Sequence, residues 1–432
     1  MKNIKNPKLV AAVLTAGISA GAWASGFQLQ NQNGAGTGMA YAGAAAVAED
    51  ASTIFFNPAG MTYLPMGSHV SLAGTVIDRS VKFTDTGTSA MPVINPITLA
   101  PTGAFNAIGG NGGDGGGAVL VPAGYYSYAV SPELRLGLGV SVTFGNKTEY
   151  DSNFAGRFSG RYTSVHQLNL NPSVAYRVND ALSLGFGVNF SKAELEFRNY
   201  SSAIGAPYGI LKGDDTAWGW NAGAMVQLAP DTRLGVSYRS KIKFHLEGKQ
   251  TAEAPLNIDR AITALYESPD NFSLALSKKI NDRLELLADA TWTGWSSLQS
   301  IEPLVASTGA RASAPLRYNF KDTWRLGFGG KYQLNDAWNL RAGIAYDESP
   351  VPNPESRTMT LPDSDRTWLS FGARWHYAKS SSLDFGYAHI FFKNSSTARA
   401  VMSTAETSTL QTVRGNFKAH ANLYSVQLNH SF

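Results

Sequence analysis

Residue types that do chemistry are sparse in this chain and poorly spaced for catalysis. Its seven histidines are scattered without the i, i+4 spacing that puts two imidazoles on one helix face, so no metal centre is expected. Cysteine is absent, which removes both a disulfide framework and thiolate ligands. The run from Gly109 to Gly117 has the glycine content of a phosphate cradle, but no Lys-Ser/Thr pair follows it, and it reads as flexible loop. No local motif sets a serine beside a histidine with a third group to orient it. No catalytic residue and no cofactor are therefore assigned, and the chain is not read as an enzyme. What remains is a few basic residues within apolar, alternating stretches: Lys192, Arg239 and Lys321, the last in phase with Arg325 and Lys331. Such a cation either receives an anionic group or is a solvated charge or salt-bridge partner of a carboxylate.

The elements that must position these residues are strands. From Leu134 to Phe144, the residues Leu134, Leu136, Leu138, Val140, Val142 and Phe144 share one face. Arg135, Gly137, Gly139, Ser141, Thr143 and Gly145 share the other. From Arg233 to Leu246, the residues Leu234, Val236, Tyr238, Ile242, Phe244 and Leu246 oppose Arg233, Arg239, Lys241, Lys243 and His245. These runs are longer than the five or so residues of a soluble sandwich strand and approach the roughly 9 to 11 that cross a bilayer at a tilt. Connections alternate in length. Short ones at Ser131-Pro132-Glu133, Asn179-Asp180, Ala229-Pro230-Asp231, Asn281-Asp282, Asn335-Asp336 and Lys379-Ser380 alternate with long ones around 86 to 118, 151 to 160, 201 to 213, 250 to 269, 296 to 316, 348 to 365 and 395 to 415. The expected fold is all-β: a transmembrane antiparallel β-barrel of about 14 strands with both termini on the short-turn side. Trp218, Trp220, Trp292, Trp295, Trp324 and Trp375 fall toward strand ends, where interfacial girdles sit. Past Phe190 the phase reverses and Leu195 and Phe197 turn inward, which requires either a bulge or an apolar upper lumen.

Composition agrees with this class. The formal charge of +4 includes Lys2, Lys5 and Lys8, which lie in a segment expected to be removed, so the rest is near neutral and offers nucleic acid no basic face. Residues 1–24 read as a signal peptide: a positive start, an apolar run from Leu9 to Ala22, and Ala22-Trp23-Ala24 as the cleavage pattern. Residues 25–66 are too rich in Gly, Ala and small polar side chains to form a core of their own, and need walls supplied by the barrel of residues 67–432.

The block SGFQLQNQNGAGTGMAYAG followed by AEDASTIFFNPAGMT resembles the N-terminal hatch of the FadL family of outer-membrane transporters. Asn169-Leu170-Asn171-Pro172, Gly343 to Pro350 and Leu361-Pro362-Asp363-Ser364-Asp365-Arg366 extend the likeness over nearly the whole mature chain. The resemblance implies a Gram-negative outer-membrane location, a lumen plugged by the hatch, and uptake of long-chain fatty acids by ligand-gated diffusion without an energy source. Aromatic hydrocarbons or other hydrophobic small molecules are the alternative cargo. It further implies a gate at Asn57, Pro58 and Ala59, and a kink of the third strand at Phe144 and Gly145 that opens sideways to the bilayer.

For the ligand, the resemblance points to Lys321 in the stretch Phe320-Lys321-Asp322 as the headgroup contact, with Arg239 and Lys192 as weaker candidates, while the inward phase of Leu195 and Phe197 would suit a hydrophobic substrate. A greasy first-contact groove would lie between two loops, one carrying Ile204 and Tyr208, the other Ile258, Ile262 and Leu265 at the spacing of a short amphipathic helix. Further expected partners are outer-membrane lipid and lipopolysaccharide, and the barrel-assembly machinery, to which a last strand ending on Phe432 is suited. The barrel is read as a monomer.

Overall fold

The structure, a computed structural model, describes residues 26–98, 100–205 and 207–432. The expected signal peptide and its cleavage point lie outside them. The described chain after Met66 is almost entirely β. The strands are β1 (Ser68–Asp85), β2 (Gly117–Ala129), β3 (Leu134–Glu149), β4 (Tyr162–Arg177), β5 (Leu182–Tyr200) and β6 (Tyr208–Ala229). Then come β7 in two pieces (Thr232–Arg239 and Ile242–Ala252), β8 in two pieces (Ile258–Ser268 and Asn271–Lys279), β9 (Leu284–Thr293) and β10 (Thr323–Gln333). The last are β11 (Trp338–Asp347), β12 (Arg366–Ala378), β13 (Ser381–Phe392, continued by Ser395–Met402) and β14 (Thr409–Ser431). Neighbours pair antiparallel in chain order, and β1 pairs with β14 from His69↔Ser431 to Asp85↔Gly415, so 14 strands close into a barrel with no free edge. All six expected tight turns are found between the strands they were assigned to.

Lateral pairing satisfies the ladder N–H and C=O groups of the wall, which is what permits a sheet to cross hydrocarbon, and it is interrupted between β2 and β3. Side chains then sort by phase. On β3, Leu136 and Leu138 are exposed outward while Arg135 and Ser141 are buried inward. On β14, Tyr424, Val426 and Leu428 face out against Ser425 and Gln427. Trp218, Trp220, Trp324 and Trp375 lie on the outer surface. Trp295 does not: it is fully buried inside the barrel, because the chain leaves β9 at Gly294 and turns over the lumen in a short 3-10 segment.

Three departures from strict alternation decide the interior. β5 runs from Leu182 to Tyr200 in continuous register with β6, so the inward turn of Leu195 needs no bulge; the residue types switch while the pleat continues. β7 breaks at Ser240-Lys241, and its phase slips by one residue. Arg239 and Ile242 are both buried, and above the break Ile242, Phe244 and Leu246 face inward while Lys241, Lys243 and His245 face out. The single apolar face expected across Leu234 to Leu246 is therefore two opposite faces. β3 carries a bulge between Val142 and Phe144, beyond which Val142, Phe144 and Asn146 are all buried, so Val142 and Phe144 are not lipid-facing as alternation implied.

Residues 26–64 fill the lower lumen. Their only regular pieces are two single helical turns, Gly34–Thr37 and Thr53–Phe56, and a 3-10 segment, Pro58–Tyr63. With so little structure of its own, the segment is held by the wall. Arg374 bonds Asp50 at 2.9 Å, Arg341 bonds Glu49 at 2.6 Å, and Lys331 pairs with Glu49 while also reaching Glu285 at 2.8 Å. Asp384 completes the network by pairing with both Arg341 and Arg374.

Candidate functional site

The upper lumen holds an apolar cluster assembled from distant parts of the chain. Leu195 of β5, Phe244 and Leu246 of β7, Tyr266 of β8, Trp295 and Phe320 of the following loop, and Phe27 at the start of the plug pack together with Phe144 of β3. Phe27 is the hub, with ring centroids 5.0 Å from Trp295, 5.9 Å from Phe144 and 6.2 Å from Tyr266. Edge-on and tilted contacts of this kind add to burial itself. Phe197 packs on the outer side of the cluster, where Leu211 of β6, Ile262 of β8 and Leu316 join it around an apolar crevice. That crevice opens toward a cavity of about 270 Å³ among the long loops, whose wall includes Phe197, Leu211, Tyr318 and Arg399.

Below the cluster the β2–β3 ladder is incomplete. β2 pairs with β3 only from Ala123↔Ser141 to Ala129↔Arg135, so Gly117 to Pro122 of β2 have no partner in β3. The bulge at Thr143 turns β3 inward, and the plug takes the vacated edge: Leu29 N–H donates to Thr143 O at 2.8 Å and Gly145 N–H to Phe27 O at 2.8 Å. The segment Phe27 to Leu29 thus acts as a short strap hydrogen-bonded to the kink. Leu29 packs in one buried apolar cluster with Val142 of β3, Val121 of β2 and Ile77 of β1.

The strap is tied down at its start. Gly26 N–H donates to Asp363 Oδ2 at 3.1 Å, and Ser349 Oγ donates to the same oxygen at 3.0 Å. Asp363 is fully buried in the loop before β12, 3.4 Å from Arg366. Burial is the dominant influence and lifts its carboxyl to about 6, against the opposing pull of Arg366 and the Gly26 amide. Farther down, Asn57 donates to Ala45 O at 2.8 Å and Ala224 O at 3.0 Å, and accepts from Ala59 N–H at 3.1 Å. Pro58 then starts the 3-10 segment against Gly185, where an added Cβ would lie 2.2 Å from the Ala59 nitrogen. The tripeptide Asn57-Pro58-Ala59 is at once a turn and the contact between plug and wall.

The sequence-derived ligand residues separate into those the fold gathers and those it disperses. Leu195, Phe197 and Ile262 meet around the apolar crevice. Ile258 and Leu265 do not join them: residues 258–268 are a strand, not a helix, so i and i+4 share a face while i+7 takes the other, and Leu265 points outward at 64% exposed. The supposed pair of loops are adjacent wall strands continuing above the membrane. Ile204 is exposed at their edge, and Tyr208 meets Tyr200 edge-on with Arg161 over its ring.

The basic candidates fare differently from one another. Lys321 precedes β10, outside the alternation used to place it; it is exposed, and its neighbour Phe320 enters the cluster instead. Lys192 faces outward and pairs with Glu194 at 2.7 Å and Asp214 at 3.4 Å, so it is not in the lumen. Arg239 is in the lumen, but its guanidinium is engaged by Asn189 and by Phe55 O at 2.9 Å and lies over the Phe55 ring. Phe144 and Gly145 directly follow the bulge of β3, where Gly145 N–H bonds to Phe27 O. Phe27, Tyr266, Trp295, Asp363 and Arg399 were not foreseen as parts of the site. Phe27 and Asp363 had a visible signal, since each sits in one of the blocks that carry the family likeness.

With this geometry in view, comparison with known proteins is decisive. The model of the family described as "Outer membrane protein transport protein (OMPP1/FadL/TodX)" matches residues 15–432. The chain belongs to this family. Outer membrane protein P1 of Haemophilus influenzae is 32% identical over the full length of both chains. A long-chain fatty acid transport protein of Salmonella typhi is 28% identical over 89% of this chain and 91% of its own. Among solved structures, a Pseudomonas aeruginosa FadL homologue superimposes with a TM-score of 0.83 at 25% identity, covering 94% of this chain and 100% of the other. As a FadL-family barrel the protein is a transport protein of the Gram-negative outer membrane, and the family's cargo is hydrophobic.

Proposed function

We propose that this protein takes up long-chain fatty acids by ligand-gated diffusion and releases them sideways into the bilayer between β2 and β3. The observation that carries the reading is the gap in the β2–β3 ladder, lined by the same strap that completes the apolar cluster. An acyl chain of about 16 carbons gains on the order of 12 kcal/mol at roughly 0.8 kcal/mol per buried methylene, so capture is easy and release is the step that needs a device. Phe27 supplies one, because it lies in the cluster through its ring and on the kink through its carbonyl. A ligand that displaces the ring loosens the bond to Gly145, and the window is then bounded only by aliphatic side chains. The name of the Salmonella typhi relative supports fatty acid as the cargo.

A second reading, aromatic hydrocarbons, is favoured by the density of rings around Phe27, which would stack on an aromatic guest. Uptake by cells expressing the protein separates the two: labelled oleate is expected to enter and toluene to compete weakly. Deleting Thr143, the extra residue of the bulge, is expected to restore β2–β3 pairing and abolish uptake while leaving binding in place. Wild-type uptake by that variant would exclude the lateral route.

A further inference from the structure

The basic residues singled out from sequence are not gathered at the apolar cluster: Lys192 faces outward in ion pairs, Lys321 is exposed in the loop before β10, and Arg239 is engaged lower down. One other cation is placed to receive the carboxylate of a fatty acid. Arg399 lies on the continuation of β13, opposite Val413 of β14, and lines the cavity of about 270 Å³ at the mouth. Its Nη1 donates to Glu355 O at 3.2 Å, and among the described residues no carboxylate lies within 4.0 Å of it. The cations near it are already matched: Arg198 pairs with Glu196, and Arg317 bonds both carboxylate oxygens of Glu406 at 2.6 Å. A partly buried guanidinium facing an open cavity without a counter-ion is costly unless something anionic visits it. Its rigid fork of N–H donors suits a carboxylate.

The remaining cavity wall supplies the other half of an amphiphile's site. Phe197, Leu211 and Leu316 belong both to this cavity and to the crevice bounded by Leu195, Leu246 and Ile262, which continues into the cluster around Phe27. We infer that Arg399 is the headgroup anchor of a mouth site for a monocarboxylate with a long apolar tail, the carboxylate on the guanidinium and the tail directed between Phe197 and Leu211 toward the lumen. The inference rests on the transport reading above and makes it specific, because an aromatic hydrocarbon has no group for Arg399 to hold.

The test measures binding of palmitate and methyl palmitate to the full-length protein in detergent, with folding followed by heat-modifiable electrophoretic mobility. Wild type is expected to prefer palmitate. R399Q should weaken palmitate by about tenfold or more, the loss of a charge-assisted hydrogen bond, and leave the ester unchanged. R317Q, which alters a cation already paired, should leave both ligands as they were. If R399Q does not fold, R399M, which keeps an apolar stem for packing, is measured in its place. Retained preference in the variant, an equal loss for acid and ester, or no preference in wild type would each overturn the assignment. Absence of binding and uptake of either ligand by wild type would instead refute the transport reading itself.

Discussion

Replacing Phe27 with alanine isolates the coupling between the apolar cluster and the wall. The ring is 3% exposed and meets Phe144, Tyr266 and Trp295. Removing a buried phenylalanine side chain costs about 3 to 5 kcal/mol when the alternative is full exposure. The strap's alternative is undocking within the lumen, so the lower figure applies. The two main-chain bonds, Leu29 N–H to Thr143 O and Gly145 N–H to Phe27 O, use no ring atom and can still form while the strap is docked, but both are lost when it undocks. A loss of about 3 kcal/mol raises the undocked population by roughly a hundredfold at 1.4 kcal/mol per decade. Hydrogen–deuterium exchange at fixed pH reads this directly, since the Gly145 amide is protected by the Phe27 carbonyl. Peptides covering Val142 to Asn146 are expected to exchange about a hundredfold faster in F27A. Peptides around Asn57 should not change, because Asn57 has its own bonds to Ala45 and Ala224. If Gly145 exchanges at the wild-type rate, the ring does not hold the strap, and the proposed link between ligand and window fails.

Three further outcomes follow from the same geometry. Asp363 binds its proton more tightly in the folded protein, with its carboxyl at about 6 against an ordinary 3.8, so the folded state is favoured below that window and loses the advantage as pH rises through 6. Relative to D363N, wild type should therefore gain roughly 2 kcal/mol on acidification from pH 7 to 4; a difference in thermal stability between the two that does not change with pH would refute the assignment. Gly185→Ala places a methyl 2.2 Å from the Ala59 nitrogen, so Asn57-Pro58-Ala59 must move; planar-bilayer recordings are expected to show a leak absent from wild type, and a silent variant would count against the contact. E49Q with D50N strips the plug of its carboxylates facing Lys331, Arg341 and Arg374. Glu285 and Asp384 still partner these cations, so the loss is that of the plug's own charge-assisted bonds, about 1.5 to 3 kcal/mol each, and limited proteolysis of the plug should accelerate; unchanged digestion would mean other contacts suffice.

The barrel was legible because a bilayer enforces alternation residue by residue: Leu136 and Leu138 against Arg135 and Ser141 must sort this way wherever hydrocarbon lies on one side. The turns at Asn179-Asp180 and Asn335-Asp336 are local chemistry, and the poverty of residues 25–66 in core-forming side chains states that their walls come from elsewhere. Alternation loses its authority above the hydrocarbon, where water replaces lipid outside and the lumen becomes the apolar side. For that reason Phe244 and Leu246 turn inward past the break at Ser240, Leu265 turns outward from a strand that reads as a helix, and Lys321 lies beyond the strand whose phase was used to place it. The gathering of Phe27, Phe144, Tyr266, Trp295, Asp363 and Arg399 has no local pattern at all. These residues meet because the barrel closes and the plug threads back to β3, and contacts made by closure are set by the register of the whole ring rather than by any stretch of the chain.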